Sequence, residues 1–321
     1  MGDSVILRDI ALDVGLSEES VLHIIQDAPR RYKVYSIPKK GGGSRVIAQP
    51  ARELKPIQRS ISHLVLERFP IHSSAMAYRE GLSIADNAKA HAGSWPILKL
   101  DFESFFNSIS AAAWRRFLAS QTSIEINKLD AALLTKALFW GNGQRSPNCL
   151  SIGAPSSPLL SNIIMFNFDT VMHRFADKHG IRYTRYADDI TVSARDFGDL
   201  HQFEKYLRAY ISRNKTPALK VNEEKRAVFS SAEKRLVTGL VLTPDGKVSL
   251  GRERKREISA LVHRSTLNQL NAEQLGYLHG MLAFALSSER VFVERLRNKY
   301  GDDAIASLLR YRVPRRDGSS R

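Results

Sequence analysis

The sequence predicts an α+β protein: a mixed body of helices and short strands, then a wholly helical region beginning near residue 251. Two observations predict it. Strand-like segments come in pairs around turn-forming residues, at Pro38 to Gly43, at Asp188-Asp189 and at Thr243-Pro244-Asp245-Gly246. From Arg252 onward apolar residues recur at helical spacing, with Leu275, Leu278, Leu282 and Leu286 on one face. At 321 residues, 43% hydrophobic and 25% charged, the chain can bury a sizeable core in one to three domains.

In chain order, Ser17-Glu18-Glu19-Ser20 precedes Val21, Leu22, Ile24 and Ile25 and reads as a capped helix start with one apolar face. Residues 32–37 and 44–48 read as strands separated by Pro38-Lys39-Lys40-Gly41-Gly42-Gly43. Residues 54–69, 111–139 and 156–178 are helical in pattern. Residues 96–100 form a short apolar strand ending at Asp101. A strand at 181–186, a tight turn at Asp188-Asp189 and a return at 190–193 follow, then a hairpin of 235–242 with 247–250. Residues 313–321 are expected to form a flexible basic tail. There is no internal repeat.

Composition narrows the partners. The formal net charge is +15 with a pI near 10.0, and an excess of that size is neutralised most readily by phosphate backbones. No apolar run approaches the roughly 18 residues of a spanning helix. Residues 1–13 carry Asp3, Arg8, Asp9 and Asp13 rather than a signal peptide's basic start and apolar middle. Cys149 is the single cysteine, so neither an internal disulfide nor a cysteine zinc cluster can form. A cytoplasmic protein without a membrane partner is expected.

The chemistry concentrates in acids. Asp188 and Asp189 are adjacent at a hairpin tip, where they repel each other and gain little from packing; holding divalent cations is one purpose they can serve. Asp101 closes another strand, and bringing the elements together would cluster three carboxylates, the clamp that two-metal phosphoryl transfer needs. Glu103 is expected behind these ligands or facing solvent. An Asp-Asp pair alone is most often a solvated turn, and the strand context with Asp101 is what raises this one.

At these residues the sequence resembles the reverse transcriptases. Tyr186-Ala187-Asp188-Asp189 matches their catalytic tetrapeptide, and Asp101-Phe102-Glu103-Ser104-Phe105-Phe106 matches their first catalytic motif. The resemblance implies a right-hand polymerase: N-terminal helix and fingers over 1–95, a palm with an antiparallel sheet over 96–250 with a fingers segment at about 111–149, and a helical thumb over 251–312. It implies two Mg²⁺ ions, with Mn²⁺ as a substitute, on Asp101, Asp188 and Asp189, and dNTPs as substrates. Phe106 matches the steric gate that excludes a 2′-hydroxyl, with Phe102 beside it, and either Phe105 or Phe106 is expected in the core. Lys39, Lys40 and Arg45 resemble the fingers residues that grip the triphosphate. Lys225, in Leu219 to Lys225, resembles the lysine that protonates departing pyrophosphate. Leu150-Ser151-Ile152-Gly153-Ala154-Pro155 resembles the segment beside the nascent base pair, so Gly153 is carried over; Ser151-Ile152 replaces the usual Pro-Gln, and Ile152 lacks the amide that contacts the nucleotide.

Two further matches resemble the retron group of bacterial reverse transcriptases. They are Asn87-Ala88-Lys89-Ala90-His91 and Val237-Thr238-Gly239, the triplet through which that group recognises its own RNA. Read without the resemblance, Asn87 and His91 could bridge a helix at i, i+4, and Val-Thr-Gly is ordinary strand material. The basic run Arg252, Arg254, Lys255 and Arg256 is expected on duplex or stem-loop RNA. The resemblance covers roughly residues 15–310. It implies a cognate structured non-coding RNA, priming from a guanosine 2′-hydroxyl, a branched RNA–DNA product, and a separate effector or toxin protein in anti-phage defence. Another bacterial reverse transcriptase, or an RNA-bound antitoxin-like scaffold, stands as the alternative.

Overall fold

The computed structural model describes residues 4–39, 42–93, 95–120, 124–230 and 232–312. Its contacts divide the chain into two compact units, Met1–Glu80 with Leu98–Val228, and Gly81–Ile97 with Phe229–Arg321. These do not follow the linear boundaries at 95/96 and 250/251: residues 81–97 and 229–250 group with the helical C-terminal region. Lys40 and the expected tail at 313–321 lie outside the described residues.

The first unit opens with helices Val5–Val14 and Glu18–Asp27. Ser4 and Ser17 cap them, each hydroxyl accepting a first-turn N–H, from Leu7 at 3.0 Å and from Ser20 at 3.2 Å. β1 (Tyr32–Pro38) and β2 (Ser44–Pro50) form an antiparallel hairpin that pairs Ile37 with Arg45. β3 (Ile97–Asp101), β4 (Arg182–Tyr186), β5 (Asp189–Ser193) and β6 (Ala227–Phe229) form a four-stranded sheet in the order β4-β5-β3-β6. β4 and β5 are antiparallel and pair Tyr186 with Asp189, so the chain turns at Ala187-Asp188. Helices Ser157–Ile164, Phe166–Lys178 and Phe197–Arg213 contribute Leu160, Phe168, Met172 and Phe203 to the same buried apolar cluster as Phe102 and Phe105.

Two long helical stretches are broken. Residues 111–139 form Ala111–Ser120 and Lys128–Leu138, because Asn127 starts a new helix by accepting from the Asp130 N–H at 2.8 Å. Residues 156–178 break at Met165. Helix Phe197–Arg213 has its own cap, Asp196, accepting from Asp199 N–H at 2.9 Å.

The second unit is built on helix Ile84–Ala90, started by a reciprocal capping box of Ser83 and Asp86. β7 (Arg235–Val237), β8 (Leu240–Leu242) and β9 (Val248–Ser249) form an antiparallel sheet. The single strand expected over 235–242 is therefore two, because Thr238 (φ 46°) and Gly239 (φ 80°) reverse the chain. A β-branched residue resists that backbone; here the Thr238 hydroxyl donates to the Ile84 carbonyl at 2.9 Å and anchors it. Arg235, 1% exposed, donates to the carbonyls of Gly93 and Trp95, which ties those two residues to this sheet. Four helices follow, Arg252–Thr266, Ala272–Ser288, Arg290–Tyr300 and Asp302–Arg310. Leu278 and Leu282 are fully buried, with Leu275 and Leu286 packed beside them. Among the described residues no helix is long and apolar enough to cross a membrane.

Leu282→Ala should lower stability by about 2–5 kcal/mol in urea unfolding, the cost of a cavity in a packed helical core. A loss under about 1 kcal/mol would mean that this helix packs loosely.

Candidate active site

β3 delivers Asp101 and the β4–β5 turn delivers Asp188 and Asp189. The two pieces are stitched directly: the Phe102 N–H donates to the Asp188 carbonyl at 3.1 Å. On the other side of Asp101, the Asn222 N–H donates to the Asp101 carbonyl at 2.7 Å and the Glu103 N–H to the Lys220 carbonyl at 2.9 Å. This second seam brings Lys225, in the turn Glu223–Lys225, to the cluster, with Nζ 2.8 Å from Asp101 Oδ2. Glu103 faces Lys220 at the surface, 2.9 Å away.

The acids disturb one another as their proximity demands. Burial, then Asp188, pushes the Asp189 carboxyl up to about 6, against the pull of Lys99. Burial, then Asp101, raises Asp188, while Lys225 and Arg45 oppose it. The hydrogen bond to Asp101 raises Lys225, so its ammonium keeps its proton at neutral pH.

Under the turn lies a second cluster, fully buried. Arg185 donates through Nε and Nη2 to Asp169, 2.6 Å at the shortest, and through Nη1 to Asn162 Oδ1 at 3.1 Å and to the Ala187 carbonyl at 3.0 Å. Tyr183 Oη donates to Asp169 at 2.7 Å. Asn162 in turn donates to the Ala77 carbonyl at 2.8 Å. Ala187 sits at φ 56°, a left-handed backbone that a non-glycine residue holds only when its surroundings determine it. Arg185 supplies that determination. This cluster does not announce itself in the sequence, although a signal for it is there. Period-two alternation puts Arg185 on one strand face with Ile181 and Tyr183, and an inward arginine needs a carboxylate.

The aromatic motif splits. Phe105 is core and Phe106 is partly exposed, as one of the two was expected to be. Phe102 is corrected. At 2% exposed, stacked on Phe105 and edge-on to Phe168, its ring belongs to the core rather than to the surface of a nucleotide pocket. Arg45 on β2 lies close enough to Asp188 to stabilise its charge, whereas Lys39 is exposed at the hairpin turn. Gly153 (φ 120°) lies against β2, where an added Cβ would stand 3.2 Å from Ile47 and 3.3 Å from the Ala48 carbonyl. The Ile152 carbonyl accepts from the Ala48 N–H at 3.0 Å, so this loop holds the β1–β2 hairpin by its backbone.

The expected RNA contacts all fall in the second unit. Asn87 and His91 are 0% and 2% exposed, buried on helix Ile84–Ala90 and at its end. Val237 is buried, and Gly239 is exposed at the turn tip. Arg254 donates to the Gly239 carbonyl at 3.2 Å and lies 5.0 Å over the Phe284 ring; Lys255 pairs with Glu289 at 2.5 Å. Arg252 and Arg256 are exposed.

Comparison with known proteins decides the family. Residues 37–278 match the family described as reverse transcriptase (RNA-dependent DNA polymerase). The retron Ec83 reverse transcriptase of Escherichia coli is 40% identical over 282 residues, 87% of this chain and 90% of that protein. The chain belongs to the retron reverse transcriptases. It is an RNA-directed DNA polymerase. The retron Ec86 reverse transcriptase of E. coli is 31% identical, over 93% and 92% of the two chains. Among solved structures, apo telomerase from Candida tropicalis aligns with TM-score 0.51 and 15% identity, over 88% of this chain and 56% of that one. The likeness is one of fold, and this chain spans just over half that telomerase's length.

Reverse transcriptases use divalent metal ions. Among the described residues of this one, no group of three or more His, Cys, Asp or Glu side chains is arranged to hold an ion. The donor set nonetheless fits in kind: three hard carboxylates, two of them raised by burial and by their acidic neighbours. One of those carboxylate oxygens, Asp101 Oδ2, is occupied by Lys225 at 2.8 Å.

Arg185→Met or Asp169→Asn should each cost about 3–5 kcal/mol of stability in chemical unfolding, because either leaves a buried charge or polar partner unmatched. The double variant Arg185→Met/Asp169→Leu should cost less than the two singles together. Losses below about 1 kcal/mol for the singles would show that the pair does not support the turn.

Proposed function

We propose that this retron reverse transcriptase binds a cognate structured non-coding RNA, starts DNA from a guanosine 2′-hydroxyl of that RNA, and builds a branched, multicopy single-stranded DNA. Asp101, Asp188 and Asp189 hold two Mg²⁺ ions, for which Mn²⁺ substitutes. When bound, the ions activate the attacking hydroxyl and neutralise charge on the triphosphate and the leaving pyrophosphate.

The chain's own residues do the rest. Lys225, kept protonated beside Asp101, is the group that would give its proton to the departing pyrophosphate. Arg45 grips the triphosphate as a fork, with Lys39 and Lys40 adding point charge. Phe106 fills the space of a 2′-hydroxyl, and Gly153 permits close backbone approach. RNA is read by the second unit. Gly239 at the turn tip gives shape contact, with Val237, Thr238, Asn87 and His91 shaping the support beneath it, and Arg252 and Arg256 meet phosphate. Arg254 and Lys255 hold the turn and the helix in place. The product and a separate effector protein act together in anti-phage defence, in the cytoplasm.

The observation that supports this reading best is the seam from Asp188 through Phe102 and Asp101 to Lys225. It brings Asp188, Asp101 and Lys225 together, and the two-metal reading rests on that juxtaposition. Its test is DNA synthesis on poly(rA)–oligo(dT) with Mg²⁺ and dTTP. Asp188→Asn and Asp189→Asn should each lose roughly three orders of magnitude or more, several kcal/mol of transition-state stabilisation. Both should still copurify with the RNA that wild type carries. Near-wild-type synthesis by either variant would remove the carboxylates from the mechanism.

A further inference from the structure

Tyr78 stands out on three counts. It is a non-glycine residue at φ 58°, a left-handed backbone that an L side chain holds only under constraint. Its ring is 46% exposed, yet it lies 6.5 Å from the Phe106 ring, at 44°. Burial raises its phenol first, and Asp188 and Tyr186 add to the rise while Arg185 and Arg45 oppose it, so it stands within electrostatic reach of the turn and of Arg45.

The strain is imposed from both sides. Arg185 and residues 74–76 exchange backbone hydrogen bonds at 2.8 Å, Arg185 N–H to the Ser74 carbonyl and Met76 N–H to the Arg185 carbonyl. Asn162 holds the Ala77 carbonyl, and Arg79 reaches back to the Ala75 carbonyl at 3.2 Å. The loop is therefore pinned to the arginine that holds the catalytic turn. Tyr78, the residue it leaves strained, lies beside Phe106. Phe106 thus has Phe105 edge-on at 5.5 Å and Tyr78 at 6.5 Å as ring neighbours.

We propose that Tyr78 is a positioning residue for sugar discrimination, its ring bracing Phe106 so that Phe106 cannot swing away from an incoming 2′-hydroxyl. This rests on the reading of Phe106 as the gate. A ring held between two rings has few rotamers open to it, and removal of one neighbour frees it without touching the nucleotide.

The experiment is single-nucleotide extension of a DNA primer on a heteropolymeric RNA template, comparing CTP with dCTP. Tyr78→Gly is the informative deletion, since glycine adopts φ > 0 without strain and the variant keeps the loop. Its melting temperature, set against that of Tyr78→Ala, reports the fold. Tyr78→Gly should raise the CTP/dCTP efficiency ratio about three- to tenfold, the scale of one aromatic contact. Tyr78→Phe should keep the wild-type ratio, because the ring remains. Phe106→Ala should raise the ratio at least as far, and Phe106→Ala with Tyr78→Gly should match Phe106→Ala alone.

An unmoved ratio in Tyr78→Gly beside a raised one in Phe106→Ala overturns the bracing role and leaves the gate standing. Effects that add in the double variant also overturn it, because Tyr78 would then act apart from Phe106. A Phe106→Ala ratio equal to wild type refutes the gate itself; a shift in Tyr78→Gly alone would make Tyr78 the gate rather than its brace, and no shift in either removes both.

Discussion

Three carboxylates that repel one another must be held within one another's field, and the rest of the first unit is arranged around that constraint. The cost is visible in Asp188 and Asp189, both displaced upward by burial and by acidic neighbours. A hairpin tip alone would relax by fraying. It is prevented from doing so by Arg185, which sits on the inward face of β4 and binds the Ala187 carbonyl while its other nitrogens are spent on Asp169 and Asn162. A lysine could not do this, since it lacks the planar fork that reaches three partners in fixed directions.

The same arginine extends the constraint outward. Its backbone pairs with residues 74–76, and Asn162 holds Ala77, so the strained loop carrying Tyr78 and the strained turn carrying Asp188 share one support. Asp101 is placed from the opposite side by Phe102 and Asn222, whose hydrogen bonds are backbone to backbone and independent of side-chain identity. The Ala187-Asp188 turn thus rests on a side-chain network and Asp101 on a main-chain ladder. Substitutions at Arg185 or Asp169 should consequently be felt through the turn first.

How much was legible in the sequence follows from these two kinds of support. Tyr186 to Asp189 and Asp101 were readable because each acid closes or turns a strand; an Asp-Asp pair without that context is most often a solvated turn. Asp169, Asn162 and Tyr78 were not, because nothing near them in the chain names Arg185 as the partner. Val237-Thr238-Gly239 reads as strand by side-chain preference, yet turns, because the Thr238 hydroxyl finds Ile84 some 150 residues away in the chain. The burial of Asn87, His91 and Phe102 was not legible either, since their motifs say nothing of what packs over them. In each miss tertiary context overrode a local preference or a motif's implied role.

The fold forces Asp101, Asp188 and Asp189 into one another's field with only partial relief from Lys225, Lys99 and Arg45, and the proposed function has a divalent cation supply the rest. Thermal unfolding with increasing Mg²⁺ tests it without reference to activity. A cation that binds only the folded state should raise the wild-type Tm progressively, by about 2.7 kcal/mol of stability at a hundredfold excess over its dissociation constant. Asp188→Asn, with one repelling charge removed, should start at a higher Tm in the absence of Mg²⁺ and respond far less to its addition. Equal responses in the two proteins, or none in the wild type, would contradict the claim.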